Sequence, residues 1–148
     1  MNILDIVNRI GEISLNHVEI KSFNVGNTWD MSTTKGDVYP AVWVEMPVLV
    51  EYTLKTKTYT FSIDVISLAK SDDLNSELSI QSQCEAIADQ LLQVFKLKIA
   101  NMSEGRLTGL TVKNINADIA TGVRVDVQFI TNRECDPLNN FKELMTRE

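Results

Sequence analysis

The segment from residue 39 to residue 89 constrains the fold most, because apolar strands stand there directly before a long amphipathic helix. It opens with Tyr39-Pro40-Ala41-Val42-Trp43-Val44-Glu45-Met46-Pro47, an apolar run with a proline near each end. Apolar residues then alternate over 48–54 and again over 59–65, and Lys55-Thr56-Lys57 separates these two runs as a turn. Alternation of this kind is typical of half-buried strands. The segment therefore predicts a three-stranded β-meander.

An acidic loop, Asp72-Asp73-Leu74-Asn75-Ser76-Glu77, leads into the predicted helix, which extends from Ser76 to about Ile99. We expect Asp73 or Ser76 to cap this helix. Apolar residues recur in it at three- and four-residue spacing, so one side of the helix should be buried. The predicted buried stripe consists of Ile80, Cys84, Ile87, Ala88, Leu91 and Phe95. The predicted solvent side consists of Gln81, Glu85, Asp89 and Gln93.

Other periodic segments complete the predicted order of elements. Residues 2–15 should form an amphipathic helix, 18–25 a short strand, 26–38 a long loop and 107–115 a further strand. The last strand, 122–131, has the clearest alternation in the chain. Its predicted buried side consists of Val123, Val125, Val127 and Phe129, and its outward side of Arg124, Asp126 and Gln128.

Asp136-Pro137 provides a cap and a proline at a first helical position, which predicts a C-terminal helical arm over residues 137–148. The chain contains no repeat, low-complexity tract or linker. We therefore expect one α+β domain over residues 1–148. In it, a mostly antiparallel sheet packs against one long helix, and further helices stand at both termini.

The charge of the chain argues against a protein that grips nucleic acid. The 148 residues include 14 basic and 20 acidic side chains, for a net charge of -6. The basic residues are scattered, and the closest groupings are Lys55/Lys57 and Lys96/Lys98. A phosphate-binding surface requires a basic stripe, so we expect no specific nucleic-acid binding. The sequence also contains no secretion signal and no apolar run long enough for a bilayer, so we expect folding in cytoplasm and no membrane contact.

Motifs for catalysis or cofactor binding are missing from the sequence, so we predict no catalytic, cofactor or metal site. His17 is the only histidine, and we interpret it as a polar boundary residue. Cys84 is interpreted as a small core residue, and its spacing from Cys135 fits no metal motif. The acidic residues before the long helix are more typical of helix capping than of cation binding.

Several apolar and charged residues are candidates for contact with another protein. Trp29 and Met31 lie in the predicted polar loop, where such side chains either fold back onto the core or insert into a partner. The apolar stripe of the C-terminal arm, which includes Leu144, poses the same choice. The predicted oligomer or partner contacts are Trp29, Met31, Lys55, Lys57, Arg124, Asp126, Leu138, Phe141 and Met145.

The order of these elements resembles the tail terminator and tail-completion proteins of tailed phages, of the kind seen in phages of Bacteroides-type hosts. The resemblance is carried by the strand at 39–45, by Phe61-Ser62-Ile63-Asp64-Val65, and by Asp72-Asp73-Leu74 leading to Ile87-Ala88-Asp89-Gln90-Leu91-Leu92. The strand pair at 108–115 and 122–131 completes it.

This resemblance implies a non-enzymatic virion protein that forms a hexameric or dodecameric ring at the head–tail junction or tail end. Its implied partners are further copies of itself and other neck, portal-side or tail proteins. It would reside in the virion tail or neck, and in host cytoplasm during assembly. Two alternatives remain open. One is an adaptor of a phage-like machine that forms no ring, and the other is a metal-dependent hydrolase using Asp64, Asp72 and Asp73.

Overall fold

The structure, a computed structural model, describes residues 1–33, 36–70, 73–99, 107–113, 118–133 and 142. Within these ranges the elements are α1 (Ile3–Asn16), β1 (Ser22–Asn27), α2 (Thr28–Thr33), β2 (Ala41–Tyr52), β3 (Thr56–Ser67), α3 (Leu74–Lys98), β4 (Thr108–Val112) and β5 (Thr121–Asn132). The predicted α+β class and long helix are confirmed. The C-terminal arm predicted over residues 137–148 lies outside the described residues, apart from Lys142.

The five strands form one mixed sheet in the order β1-β2-β3-β5-β4. β1 runs parallel to β2, while the β2–β3, β3–β5 and β4–β5 pairs are antiparallel. The prediction of a meander-type sheet is therefore wrong at the β1 edge. The reason lies in the connection from β1 to β2, because it contains α2 and returns the chain to the same end of the sheet, as a parallel pair requires.

The segment predicted as two strands between residues 40 and 54 is a single strand, β2. Glu45 pairs with Ser62 and Leu49 pairs with Thr60, so β2 takes four steps where β3 takes two. Pro47 lies in this irregularity, where its missing N–H removes no regular ladder bond. The proline therefore marks a bulge inside one strand and not a boundary between two.

The turn after β2 also lies earlier than predicted. β2 ends at Tyr52 and β3 begins at Thr56, so Lys57 lies within β3. The Thr53 hydroxyl accepts the backbone N–H of Thr56 at 2.9 Å, which closes the turn. Lys55 remains in the turn, as predicted.

Helices α1 and α3 cover one face of the sheet and form the core with it. Phe61, Phe95 and Phe129 meet edge to face there, with ring centroids 5.8 Å and 6.4 Å apart. The predicted alternation of β5 is confirmed: its odd-numbered residues from 123 to 129 are buried in this core. The α3 stripe is confirmed as well, and its start is fixed by the side chain of Asp73, which accepts the Ser76 N–H at 3.1 Å.

One residue of the predicted solvent side of α3 lies inside the protein. Gln81 is 9% exposed, and its amide donates to the Thr121 hydroxyl at 3.0 Å. That hydroxyl in turn donates to the Val112 carbonyl at 2.7 Å. The prediction for Gln81 is wrong because hydrogen bonds allow a polar side chain to be buried. The apolar periodicity of the sequence does not reveal such bonds.

The predicted loop at 26–38 contains helix α2. Asn27 and Asp30 cap it reciprocally: the Asp30 N–H donates to Asn27 Oδ1 at 2.8 Å, and the Asn27 N–H donates to Asp30 Oδ2 at 3.2 Å. Met31 is 1% exposed and anchors the helix. The prediction of a long loop is wrong because this capping pair, separated by two residues, supports a short helix that apolar periodicity does not reveal.

Candidate interaction face

The two faces of the sheet differ in what covers them. On the face opposite α1 and α3, helix α2 packs over the β1–β2 edge. The approach at Gly26 is close, because a Cβ added there would stand 3.0 Å from Asp30 Cβ and 3.2 Å from Trp43 Cζ2. Within the described residues no other helix covers the rest of that side, which we call the open face. Its residues include Glu45, Leu49, Thr60, Ser62, Asp64, Leu110, Arg124, Asp126 and Gln128. This surface is polar at its centre and carries apolar side chains at its sides.

A charged triad lies at the centre of the open face. Arg124 Nε is 2.6 Å from Glu45 Oε2 and 2.9 Å from Asp64 Oδ1, so two carboxylates share one guanidinium nitrogen. Asp64 pairs with Arg124 in the β3–β5 ladder, and Glu45 reaches it from β2. The side chain of Asp64 is fully buried, that of Glu45 is 13% exposed and that of Arg124 is 30% exposed.

The triad holds one carboxylate more than its cation can balance. Burial, and then the neighbouring Glu45 carboxylate, raise the pKa of Asp64 to about 8, while Arg124 acts in the opposite direction. Asp64 Oδ2 is buried and has no hydrogen-bond partner within the described part of the chain. A proton on Asp64 removes the excess charge, so near neutral pH the carboxyl group is mainly protonated in the folded protein.

The raised pKa of Asp64 gives the protein a specific pH dependence. The folded protein holds this proton up to about pH 8, whereas an unfolded chain releases it near the ordinary value of 3.8. The stability associated with the proton is fully present below pH 3.8 and is lost as pH rises to about 8. Asp64→Asn keeps the shape of the side chain without its charge. We expect its free energy of unfolding to rise relative to that of the natural protein by a few kcal/mol between pH 5 and pH 9, because a difference of one pKa unit corresponds to about 1.4 kcal/mol.

Urea unfolding of both proteins at pH 5, 7 and 9 measures this difference. Asp126→Asn is the matched control, because Asp126 is an exposed carboxylate on the same face. A stability difference between Asp64→Asn and the natural protein that stays constant with pH would contradict the assignment.

The predicted contact residues of β5 occupy different environments on this face. Arg124 is held by the triad within its own chain. Asp126 is exposed, and it accepts a hydrogen bond from the Ser62 hydroxyl at 2.7 Å. Glu45 was not among the predicted site residues, and among candidate sites Asp64 was named only as an acid of the hydrolase alternative. In the sequence, Glu45 and Asp64 are each visible only as a single acidic residue within an apolar strand. The strand register that brings them together is not visible there.

The two apolar candidates in α2 also differ. Trp29 is 73% exposed, so its indole is accessible to a partner. Met31 is 1% exposed and packs within its own chain, so it does not contact a partner in this conformation. Of the two interpretations offered for these residues, Met31 takes the folded-back one.

The end of the β2–β3 hairpin is a second prominent surface. We call residues Tyr52–Lys57 the hairpin tip. Leu54 is 95% exposed and Tyr52 is 65% exposed. Arg133 holds the tip in shape: Nη1 donates to the Thr53 carbonyl at 2.6 Å, its backbone N–H donates to the Lys55 carbonyl at 2.9 Å, and its guanidinium lies 5.5 Å from the centre of the Tyr52 ring. The tip is therefore an ordered apolar and basic projection.

The residues considered for chemistry have structural roles. His17 links α1 to α3: Nδ1 accepts the Glu19 N–H at 3.1 Å, which leaves the proton on Nε2 to donate to Gln90 Oε1 at 2.6 Å. Burial raises the pKa of the Cys84 thiol to about 12, which keeps this side chain a neutral core residue.

The acids of the hydrolase alternative are engaged separately. Asp64 belongs to the triad, Asp73 caps α3, and Asp72 lies outside the described residues. Across the ranges that the structure describes, no three His, Cys, Asp or Glu side chains are grouped so that they could hold a metal ion.

No protein-family model matches this chain, and comparison with curated proteins gave no significant match. Among the described helices, none has the length and apolar character needed to cross a bilayer.

Proposed function

We propose that this chain is a structural virion protein that forms a ring at the head–tail junction or tail end of a phage. The ring would complete the tail or neck and let DNA pass through its opening. Its partners would be further copies of the chain and other neck, portal-side or tail proteins, first in host cytoplasm and then in the virion. The element order that resembles tail terminator and tail-completion proteins motivates this proposal.

The observation that carries the proposal is where the exposed apolar side chains lie. Trp29 stands on α2, Tyr52 and Leu54 on the hairpin tip, and Leu110 on β4, and each is more than 60% exposed. Tryptophan and tyrosine are enriched among the residues that contribute most to protein–protein binding, so Trp29 and Tyr52 are the strongest candidates of the four. These residues lie at separate places on one subunit, as contacts between neighbours in a ring require.

The sheet edges support the same proposal. β1 and β4 are the two outer strands, and each is short, with six and five residues. Within the described ranges each pairs with a strand on one side only. Such edges leave backbone groups available for a neighbouring subunit, while their short length limits uncontrolled pairing.

The charge of the chain is compatible with DNA passage. Each copy contributes a net charge of -6, and a ring multiplies that charge by its number of copies. An acidic opening repels phosphates at short range, so DNA would move through it without binding.

Native mass spectrometry over a wide concentration range tests self-assembly. We expect a defined species of six or twelve copies, because a ring closes at one stoichiometry. A protein that stays monomeric at every concentration would contradict self-assembly and favour an adaptor that forms no ring.

A further inference from the structure

A groove between α3 and β4 has an apolar floor and an acidic rim. Ala88, Leu92, Leu107 and Val125 are among the residues of its floor, and Glu85 and Asp89 stand at its rim. Its volume is about 310 Å³, at the small end of the usual range for binding cavities, roughly 300–1,000 Å³. A groove of this size fits one or two side chains better than a cofactor.

The rim charges favour a cationic occupant. Glu85 and Asp89 are four residues apart on α3 and both are exposed, so they are neighbours of like charge on one helix face. Gln93 donates one hydrogen bond to Asp89 Oδ2 at 3.0 Å but does not change its charge. A positive group placed beside this pair would reduce their mutual repulsion.

The hairpin tip has the complementary chemistry. Leu54 is almost fully exposed at its end, and Lys55 and Lys57 follow it within three residues. Lys57 is half-buried, and its Nζ lies 5.7 Å from the centre of the Tyr59 ring. The bonds from Arg133 hold the tip in one conformation, which lowers the entropy lost on docking. An apolar side chain followed by two cations matches an apolar floor beside two carboxylates.

The tip of one copy cannot enter its own groove. Thr56 pairs with Asn132 at the far end of β5, whereas the groove reaches β5 at Val125. The seven steps along β5 from Val125 to Asn132 span about 23 Å of strand. The occupant must therefore come from another molecule.

We propose that the hairpin tip of one copy docks in the α3–β4 groove of the next copy. Leu54 enters the groove, and Lys55 and Lys57 pair with Glu85 and Asp89. The contact uses two different surfaces, so it is heterologous and generates a ring when the rotation between copies closes. This inference rests on the proposed ring function and assigns one contact within it.

Charge reversal tests the contact. We expect Lys55→Glu/Lys57→Glu and, separately, Glu85→Lys/Asp89→Lys each to raise the concentration at which assembly begins by about tenfold or more, because each brings like charges together. Combining all four changes in one chain should restore assembly. Lys21→Glu/Lys70→Glu is the matched control for the tip variant, because it changes the net charge by the same amount and in the same direction and should leave assembly unchanged.

A mixing experiment tests the contact between unlike copies. The tip variant keeps a natural groove, and the groove variant keeps a natural tip. Both contacts between unlike variants then pair opposite charges, so an equimolar mixture should assemble with the two variants alternating, whereas each variant alone should not, as measured by native mass spectrometry.

The outcomes separate this contact from the ring proposal. If the natural protein assembles and the reversed variants assemble equally well, the docking contact is wrong while the ring proposal stands. If the groove variant loses several degrees of melting temperature and keeps its natural mass distribution, the groove is filled by its own chain and docking is overturned. A natural protein that stays monomeric overturns both.

Discussion

Replacing Arg124 with methionine should lower the free energy of unfolding by about 3–5 kcal/mol at pH 8, because it leaves Glu45 and Asp64 buried without their cation. The loss should be smaller at pH 5, because burial raises the pKa of Asp64 to about 8 and its carboxyl group is protonated at pH 5. Urea denaturation at both pH values measures the effect.

Two further variants identify the cause of that loss. Arg9→Met is the control, because among the described residues Arg9 makes only solvent-exposed contacts, an ion pair with Glu12 at 3.7 Å and a hydrogen bond to the Lys98 carbonyl at 3.1 Å. An exposed ion pair contributes about 0–1 kcal/mol and a typical hydrogen bond about 0.5–1.5 kcal/mol. Adding Asp64→Asn to Arg124→Met should recover part of the stability, because it removes one of the uncompensated carboxylates. Equal losses for Arg9→Met and Arg124→Met would show that the triad is not a buried charge cluster.

Val125→Asp should abolish folding, since Val125 is 7% exposed and faces the helix layer. An unpaired charge at this position costs more than the roughly 4 kcal/mol that marks an exceptional substitution. Asp126→Ala, one residue further along, should cost about 1 kcal/mol, because it removes only the 2.7 Å hydrogen bond from Ser62.

Far-UV circular dichroism and thermal melting distinguish these two variants. A folded Val125→Asp protein together with an unfolded Asp126→Ala protein would mean that the register of β5 is shifted by one residue, which exchanges its two faces.

The elements that the sequence predicted well are those in which local periodicity and burial agree. α3 and β5 each present one mainly apolar side, which in α3 is interrupted only by Gln81 among the described residues, and both were located to within a few residues. β2 was divided because Pro47 is a strong local breaker, while its position in a bulge depends on pairing with β3. The parallel pairing of β1 likewise depends on the connection to β2 through α2. Helix α2 is stabilised by its capping pair and shows no apolar periodicity from which it could have been predicted.

The candidate site was visible in the sequence only in outline. The outward alternation of β5 indicated Arg124 and Asp126, and the structure places both on the open face. Their relation to Glu45 and Asp64 comes from the register of three strands, which no single segment encodes. The predicted contacts at Leu138, Phe141 and Met145 lie outside the described residues, so they remain predictions.

Electron microscopy of the purified protein in negative stain tests ring formation most directly. We expect closed particles of uniform diameter with a central opening, in six- or twelve-fold averages, at concentrations where native mass spectrometry detects the assembled species. Mixing with the Lys55→Glu/Lys57→Glu variant should reduce the number of closed particles. Images that show only monomer-sized particles or open filaments under those conditions would contradict a ring subunit.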